Sequence, residues 1–356
     1  MTDAVIYYRL PGKNLCVRLT ANERDIKRLP SCNSLNGQQG FVFAPFHPSA
    51  EEPIYLISSY TEESLNPESL ADKGDVNIRQ GMESPHERAD YAIDFANFHA
   101  QICSGQFSKL VLARRCHTNL DCHIDTLTLF ANACLNYPRL FVALVCLPDA
   151  GTWLMSTPEI LLSGKHNAMR TIALAGTMKF DEELMSLPVE KVWSAKNLME
   201  QECVASYLTE CVEQFSSDFT VTGPYTTRAA GLMHLRTDFD FRLADSTLLG
   251  DVLATLHPTP AVCGMPKDKA LQFILDNESF PRHYYSGFLG MLNPEADTHI
   301  FVSLRCLHLP TDKRVDFYAG GGLLADSVEE NEWRETEAKM QTMKTLFNYR
   351  KISTHV

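Results

Sequence analysis

The chain has 356 residues, 45% of them hydrophobic, and a formal net charge of −12 at pH 7. That length can bury a large core in one or two domains, while the acidic balance and the lack of a Lys/Arg run exclude nucleic acid or an anionic membrane as the main partner. No apolar run reaches the roughly 18–20 residues of a membrane-spanning helix, and eleven scattered cysteines, with no Cys-x-x-Cys pair and no signal peptide, point to reduced thiols in a cytoplasm.

Residues 4–10 and 14–19 read as strands around Pro11-Gly12, and residues 41–44 and 54–57 as two more. The polar stretch 60–84, with Pro, Gly and Ser, reads as a loop. A helical pattern follows at 87–103, a strand at 107–116 and a helix near 124–136. Strands are expected at 140–147, 152–156, 160–163 and 170–175. Residues 189–215 read as one long helix with the apolar stripe Val204, Leu208, Cys211 and Phe215. Glu200 lies one turn earlier on that stripe.

A strand near 231–236, a helix near 246–255, a Pro-rich turn at 257–266 and a helix near 267–276 come next. Strands near 284–292, 299–309 and 314–319 lead through Gly320-Gly321-Gly322 into a last helix. The glycines allow close backbone approach or positive φ. Ser327 is the expected N-cap, with Glu330 three residues on. Strands in consecutive groups with helices between them predict an α+β fold with largely antiparallel sheets. No linker or repeat divides the chain, so one domain is expected, with residues 1–85 as a β-rich part of the same fold and 86–356 as the catalytic region.

No Walker A loop, Gly-x-Gly-x-x-Gly fingerprint, His-Glu-x-x-His or Gly-x-Ser-x-Gly elbow is present. Glu332, Glu335 and Lys339 fall on one face of the last helix, in line with Met343, Leu346 and Phe347. Carboxylates in line with an apolar stripe point inward, where an unpaired charge is costly, and so call for a cation. Spacing alone favours the plainer reading, a solvated first turn suited to the helix dipole. Gly320-Gly321-Gly322 forms either an anion nest or a simple turn. Lys109 alternates with Leu110 and Leu112, so it is either an outward strand lysine or a desolvated one able to act as a base. Glu159 reads first as a turn residue, and His234 and His257 as structural.

In combination and in order, these segments resemble one family. They are Lys109-Leu-Val-Leu-Ala-Arg114, Ser156-Thr-Pro-Glu159, Leu174-Ala-Gly-Thr177, Ser194-Ala-Lys-x-x-x-Glu200, Leu256-His-Pro-Thr-Pro-Ala-Val-Cys-Gly264, Arg282-x-x-Tyr285-Ser-Gly, Leu304-Arg305-Cys, Tyr318-Ala-Gly-Gly-Gly322 and Glu332-Trp-x-Glu335-Thr-x-x-Lys339. They look like the chorismate-utilising enzymes: isochorismate synthase, salicylate synthase, anthranilate synthase component I and aminodeoxychorismate synthase component I. The resemblance runs from about residue 90 to 348, and the first 85 residues carry little of it.

The resemblance implies a single large chorismate-binding domain, an antiparallel sheet core flanked by helices, with one Mg²⁺. By similarity Glu200 and Glu335 ligate the metal and Glu332 reaches it through water, with Asn197 a further water-linked candidate. Few protein oxygens and several retained waters suit Mg²⁺. The substrate-facing positions by similarity are Ala175, Gly176, Thr177, His234, Tyr285, Arg305, Gly320, Gly322 and Lys339, with Arg305 and Tyr285 on the enolpyruvyl carboxylate.

The lysine at 109 marks the water-using branch, since the aminating branch usually has glutamine there; no glutaminase partner is therefore implied. Ala175 stands where some relatives carry a lysine nucleophile. The implied mechanism has Lys109 as general base on water attacking C2 and Glu159 as general acid to the C4 hydroxyl, giving isochorismate reversibly. Salicylate synthase shares these residues and stands as the rival, ahead of a silent chorismate-binding subunit. A monomer is the family default, and base rates favour a menaquinone pathway. Gln201, Asn197, Ser286 and Val328-Glu329 depart from the usual family residues without removing a catalytic group.

Overall fold

The computed structural model describes residues 3–70, 77–79, 85–120, 124–311 and 313–350. Two nine-stranded sheets form its frame. Neighbours in the first run Gly264–Met265, Lys109–Asn119, Arg314–Leu323, Cys306–Thr311, Gly151–Thr157, Phe141–Leu147, Ala4–Arg9, Cys16–Ala21, Thr61–Leu65. Those in the second run Phe219–Ala229, Leu232–Arg242, Ala168–Lys179, Ile160–Lys165, Asp297–Val302, Phe288–Leu292, Gly40–Ala44, Ile54–Ile57, Ile26–Leu29. Pairing within both is antiparallel. The expected α+β fold with antiparallel sheets is what the chain adopts. Residues 4–65 supply outer strands to both sheets, so the N-terminal part is built into the frame rather than set beside it.

The sheets face each other, and the two-residue period of the strands decides what meets what. Phe41, Phe43, Tyr55 and Ile57 point at the other sheet, together with Phe141, Ala143 and Val145 from across the gap. Phe141 stacks on Phe301 with centroids 4.2 Å apart. The alternate residues Val42, Ala44, Ile54 and Leu56 point outward to Val204, Leu208 and Leu253 of two covering helices, Ala195–Glu213 and Leu249–Leu256. On the outer face of the first sheet, Val315, Phe317 and Ala319 meet Leu129, Met340 and Met343 of helices Thr126–Asn136 and Glu329–Lys344. Burial on both faces explains why these strands read as continuous apolar runs.

Several expectations need correction. The long helix at 189–215 is two, Val189–Val192 and Ala195–Glu213. The chain breaks at Trp193-Ser194, where Ser194 is extended and its hydroxyl accepts from the Asn197 amide at 3.2 Å. Ser and Asp oxygens compete for backbone donors in this way and start helices rather than continue them. The last helix begins at Glu329 with Val328 as its N-cap; Ser327 instead accepts from the Leu324 amide, one turn too early to cap it. The stretch 60–84 is not all loop: Thr61–Leu65 is an exposed edge strand and Asn77–Arg79 pairs in parallel with Asn348–Arg350, while residues 71–76 and 80–84 lie outside the described residues. Ile26–Leu29 and Phe219–Ala229 are strands with no apolar alternation to reveal them, being largely exposed edges. Residues 299–309 form two strands in different sheets, split at Ser303-Leu304-Arg305.

A buried ion pair ties the strands to the 257–287 segment. Arg282 donates to both Glu278 oxygens, at 2.6 and 2.7 Å, and to the carbonyls of Val262 and Val111. Glu278 accepts in turn from the Ala113 amide at 2.8 Å. Both side chains are 2% exposed. Removing one member of a buried pair strands the other charge, so Arg282→Ala is expected to cost about 3–5 kcal/mol, read as a lowered midpoint in chemical denaturation. A change below about 1 kcal/mol would show that the clamp is dispensable.

Candidate active site

The chain crosses between the sheets in two adjacent places. After Gly151–Thr157 of the first sheet it passes through Pro158-Glu159 into Ile160–Lys165 of the second. After Asp297–Val302 of the second it passes through 303–305 into Cys306–Thr311 of the first. The crossings bind each other: Val302 N donates to Glu159 O at 2.9 Å and Ser156 N to Arg305 O at 3.1 Å. Glu159 and Arg305 are thereby set side by side between the sheets, both buried. Arg305 holds φ +48°, a costly value for a non-glycine residue that packing must enforce.

Glu159 and Arg305 open onto a pocket with about 640 Å³ of empty space. Its walls include Ala175, Gly176, Thr177, Glu200, His234, Tyr285, Gly320, Gly322, Glu335 and Lys339, all anticipated from the sequence. Lys109 and Glu332 do not line it but stand directly behind the lining. A Cβ built on Gly322 would meet Lys109 Cε at 2.8 Å and Glu200 Oε1 at 2.3 Å. One on Gly321 would lie 3.5 Å from Glu332 Oε2 and 3.8 Å from Glu335 Oε1. Gly322 therefore serves close approach, and so does Gly320, where a Cβ would lie 3.0 Å from the Tyr285 hydroxyl, whereas one on Gly321 would make only ordinary contact. None has positive φ, and all three continue the strand Arg314–Leu323, so there is neither a turn nor a left-handed nest at this point.

Lys109 points inward with Val111 and Ala113, while Leu110 and Leu112 pack against the helices opposite. It is fully buried, and its Nζ lies 3.0 Å from Glu200 Oε1. The other Glu200 oxygen accepts from the Gly176 amide at 3.3 Å. Gly176 sits at φ +67° on a bulge in its strand, which turns that amide toward the helix. Lys339 bonds Glu335 Oε1 at 2.7 Å and the Gly320 carbonyl at 2.8 Å. Lys196 pairs with Glu332. Each of the three carboxylates thus has its own lysine. Lys196 was given no role on sequence grounds, although it lies four residues before Glu200, on the same helix face.

Electrostatics separate the carboxyl groups. Burial opposes ionisation of Glu200, but Lys109, Lys339 and Lys196 outweigh it and hold the group below the usual carboxylate range. Glu332 is pushed up by burial, with neighbouring Glu335 adding to it against Lys196. Glu159 is pushed up by burial to about 7, although Lys109, Arg305 and Lys339 pull the other way. It is a carboxyl group that titrates near neutrality, so a large fraction still carries its proton there. His234 is kept neutral by burial and by the Arg305 charge. Its Nε2 accepts from Arg305 at 2.9 Å, so Nδ1 carries the proton and donates to the Gly176 carbonyl at 2.8 Å. His257 lies outside the pocket, buried against the Phe46 carbonyl, and is structural as expected.

Arg305, which lines the pocket, has a buried Nη1 with no hydrogen-bond partner among the described residues. Such groups normally meet a ligand or water. The donor set of Glu200, Glu332 and Glu335 is all oxygen and suits a hard divalent cation. As the side chains stand, no group of three described acidic, His or Cys side chains is gathered closely enough to ligate one, because each carboxylate leans on its lysine. Gln201, at the departure from the family pattern, is buried and donates to Thr237 Oγ1 at 2.9 Å, holding its helix to the second sheet. Among the described residues all cysteines are free thiols, and no helix is long and apolar enough to cross a membrane.

Residues 50–348 match the model of a family described as chorismate binding enzymes. The chain is 28% identical over 312 residues to isochorismate synthase EntC of Escherichia coli K12, covering 85% of this chain and 79% of that protein. It is 30% identical over 268 residues to isochorismate synthase DhbC of Bacillus subtilis, covering 72% and 67%. The structure of MenF, the menaquinone-specific isochorismate synthase of E. coli, superposes with a TM-score of 0.79 at 21% identity, over 97% of this chain and 89% of that one.

Gly322→Ala is expected to leave the fold intact by circular dichroism but to displace Glu200 and Lys109 by about 1 Å, lowering turnover about 100-fold. Turnover within about threefold of the parent would show that the close approach is not required.

Proposed function

Because this chain belongs to the chorismate-binding enzyme family, we propose that it is an isochorismate synthase, an isomerase that moves a hydroxyl group from C4 to C2 of chorismate in a Mg²⁺-dependent, reversible reaction. The observation that carries this reading is a pair of buried groups at one pocket: Lys109, directly behind its lining and a lysine where an aminating relative would carry glutamine, and Glu159 in its wall, a carboxyl group pushed up to about 7.

Water bound beside Lys109 gives a proton to its Nζ as oxygen attacks C2. Both ring double bonds shift by one position, from C1=C2 to C1=C6 and from C5=C6 to C4=C5, and the C4–O bond breaks as Glu159 donates its proton to the departing hydroxyl. Water enters and water leaves, so substrate and product are isomers. The charges on the two side chains then exchange back through solvent or through the reverse reaction. Lys109 can accept that proton only when its pairing with Glu200 is loosened. Arg305, with Nη1 free of protein partners among the described residues and its other edge fixed by His234, is placed to hold one substrate carboxylate. Tyr285 lines the same pocket.

A second substrate carboxylate needs a second cation. Among the described residues Lys109, Lys196 and Lys339 are each taken by a glutamate, which supports the Mg²⁺ reading. Glu200 and Glu335 would hold the ion and Glu332 would reach it through water; the ion would supply positive charge at the ring carboxylate. The proposed setting is a cytoplasmic monomer working without a glutaminase, and, on base rates, menaquinone synthesis.

The test is product analysis of the purified protein with chorismate and Mg²⁺, against an EDTA control. A Mg²⁺-dependent mixture of isochorismate and chorismate without pyruvate is expected. Salicylate with equal pyruvate would make it a salicylate synthase, and no turnover would refute both. The pH profile is a separate check. Glu159 acts while protonated, so kcat/KM is expected to fall as pH rises through about 7. Glu159→Gln should abolish that limb while lowering the rate about 10²–10⁴-fold. An alkaline limb that survives in the variant would assign it to another group.

A further inference from the structure

A second cavity, of about 1260 Å³ of empty space, lies against the first. The two share Thr177 and Glu335 as lining. The outer one runs along the exposed face of the helix Glu329–Lys344, at Arg334, Ala338 and their neighbours, and is closed on the far side by Lys179 and the turn at Ala230-Gly231. The geometry points to this groove as the vestibule through which a small dianionic acid reaches the inner pocket, with Lys179 and Arg334 as its steering charges. The identity of that acid as chorismate rests on the function proposed above.

Three observations carry the assignment. Thr177 and Glu335 are partly exposed, while the remaining walls of the inner pocket are mostly buried, so the shared boundary is where the pocket is thin. The protein carries a net charge of −12 and so repels a dianion at long range, which makes a local positive entrance valuable. Lys179 and Arg334 are both exposed on opposite rims; among the described residues Arg334 has one ion-pair partner, Glu330 at 2.8 Å, itself exposed, and Lys179 has none. Neither residue reaches the reacting groups, so their influence is confined to arrival and departure.

Trp193 packs beside Gly176, a wall of the inner pocket, where an added Cβ would lie 3.3 Å from the indole ring, so tryptophan fluorescence is the readout chosen for filling of that pocket. Stopped-flow quenching by chorismate with Mg²⁺ present gives the association rate. In Lys179→Glu/Arg334→Glu that rate is expected to drop about tenfold or more at low ionic strength, and added salt should then speed association instead of slowing it. Turnover at saturation should be unchanged. Ala338→Phe, which narrows the groove without a charge change or a new indole, should slow association and dissociation together and leave the equilibrium constant alone. If chorismate quenches normally but both variants keep parental rates and salt slopes, the substrate enters elsewhere and the vestibule is refuted. If chorismate neither binds nor turns over in the parent, the functional reading itself fails, and the vestibule with it.

Discussion

A lysine with no solvent exposure and a glutamate beside it set the terms for the rest of this molecule. Lys109 and Glu200 come from a strand of the first sheet and a helix covering the second, and neither charge can be held in the interior alone. The contact exists because the intervening strand position is Gly322; any larger residue would occupy the space through which the two side chains meet. The break at Trp193-Ser194 starts the helix that carries Glu200 and Lys196. The bulge at Gly176 then supplies an amide to the free oxygen of Glu200. Sheet, helix and bulge each have a local reason in the sequence, and the ion pair requires all three at once.

The proposed acid, Glu159, is placed by a different device. Glu159 and Arg305 stand where the chain leaves one sheet for the other, and backbone bonds between the crossings fix their separation. A residue on a regular strand would face either the opposite sheet or the covering helices. A crossing lets side chains enter the gap from its end, where there is room for a ligand. The cost appears in the left-handed backbone of Arg305, and the packing of the two sheets sustains it. Burial at that crossing also tunes Glu159, since the same removal from water that makes an ion expensive pushes its carboxyl group up to about 7.

The sequence made the class of fold visible through consecutive alternating strands, and made most of the pocket visible through short motifs whose residues share no regular spacing. What it hid has physical causes. Phe219–Ala229 and Thr61–Leu65 are edge strands with little buried surface, so no alternation marks them. The split in 299–309 is invisible because Val302 and Leu304 on either side of Ser303 keep an apolar rhythm while the backbone changes sheets. Ser327 failed as a cap because its hydroxyl found the Leu324 amide first. Lys196 carries no local sign of its role because its partner, Glu332, is 136 residues away, and only the fold brings them together.

An acidic protein that takes an acidic substrate has to solve its electrostatics locally. Three lysines match three glutamates in the interior, Glu159 is pushed up to about 7 and His234 is neutral beside Arg305. While Glu159 holds its proton, the guanidinium of Arg305 is the unmatched charge among the described residues of the pocket, so the site is then net positive within a chain of net charge −12. One positive group satisfies one carboxylate. A dianion therefore fits only if a further cation arrives with it or a lysine is released to meet it. Both routes act on the same contacts, because drawing Glu200 toward a new cation frees Lys109, the group that the proposed chemistry needs unpaired. Binding of the second charge and readiness of the base are thus linked through one glutamate, and the spacing set by Gly322 makes that linkage possible.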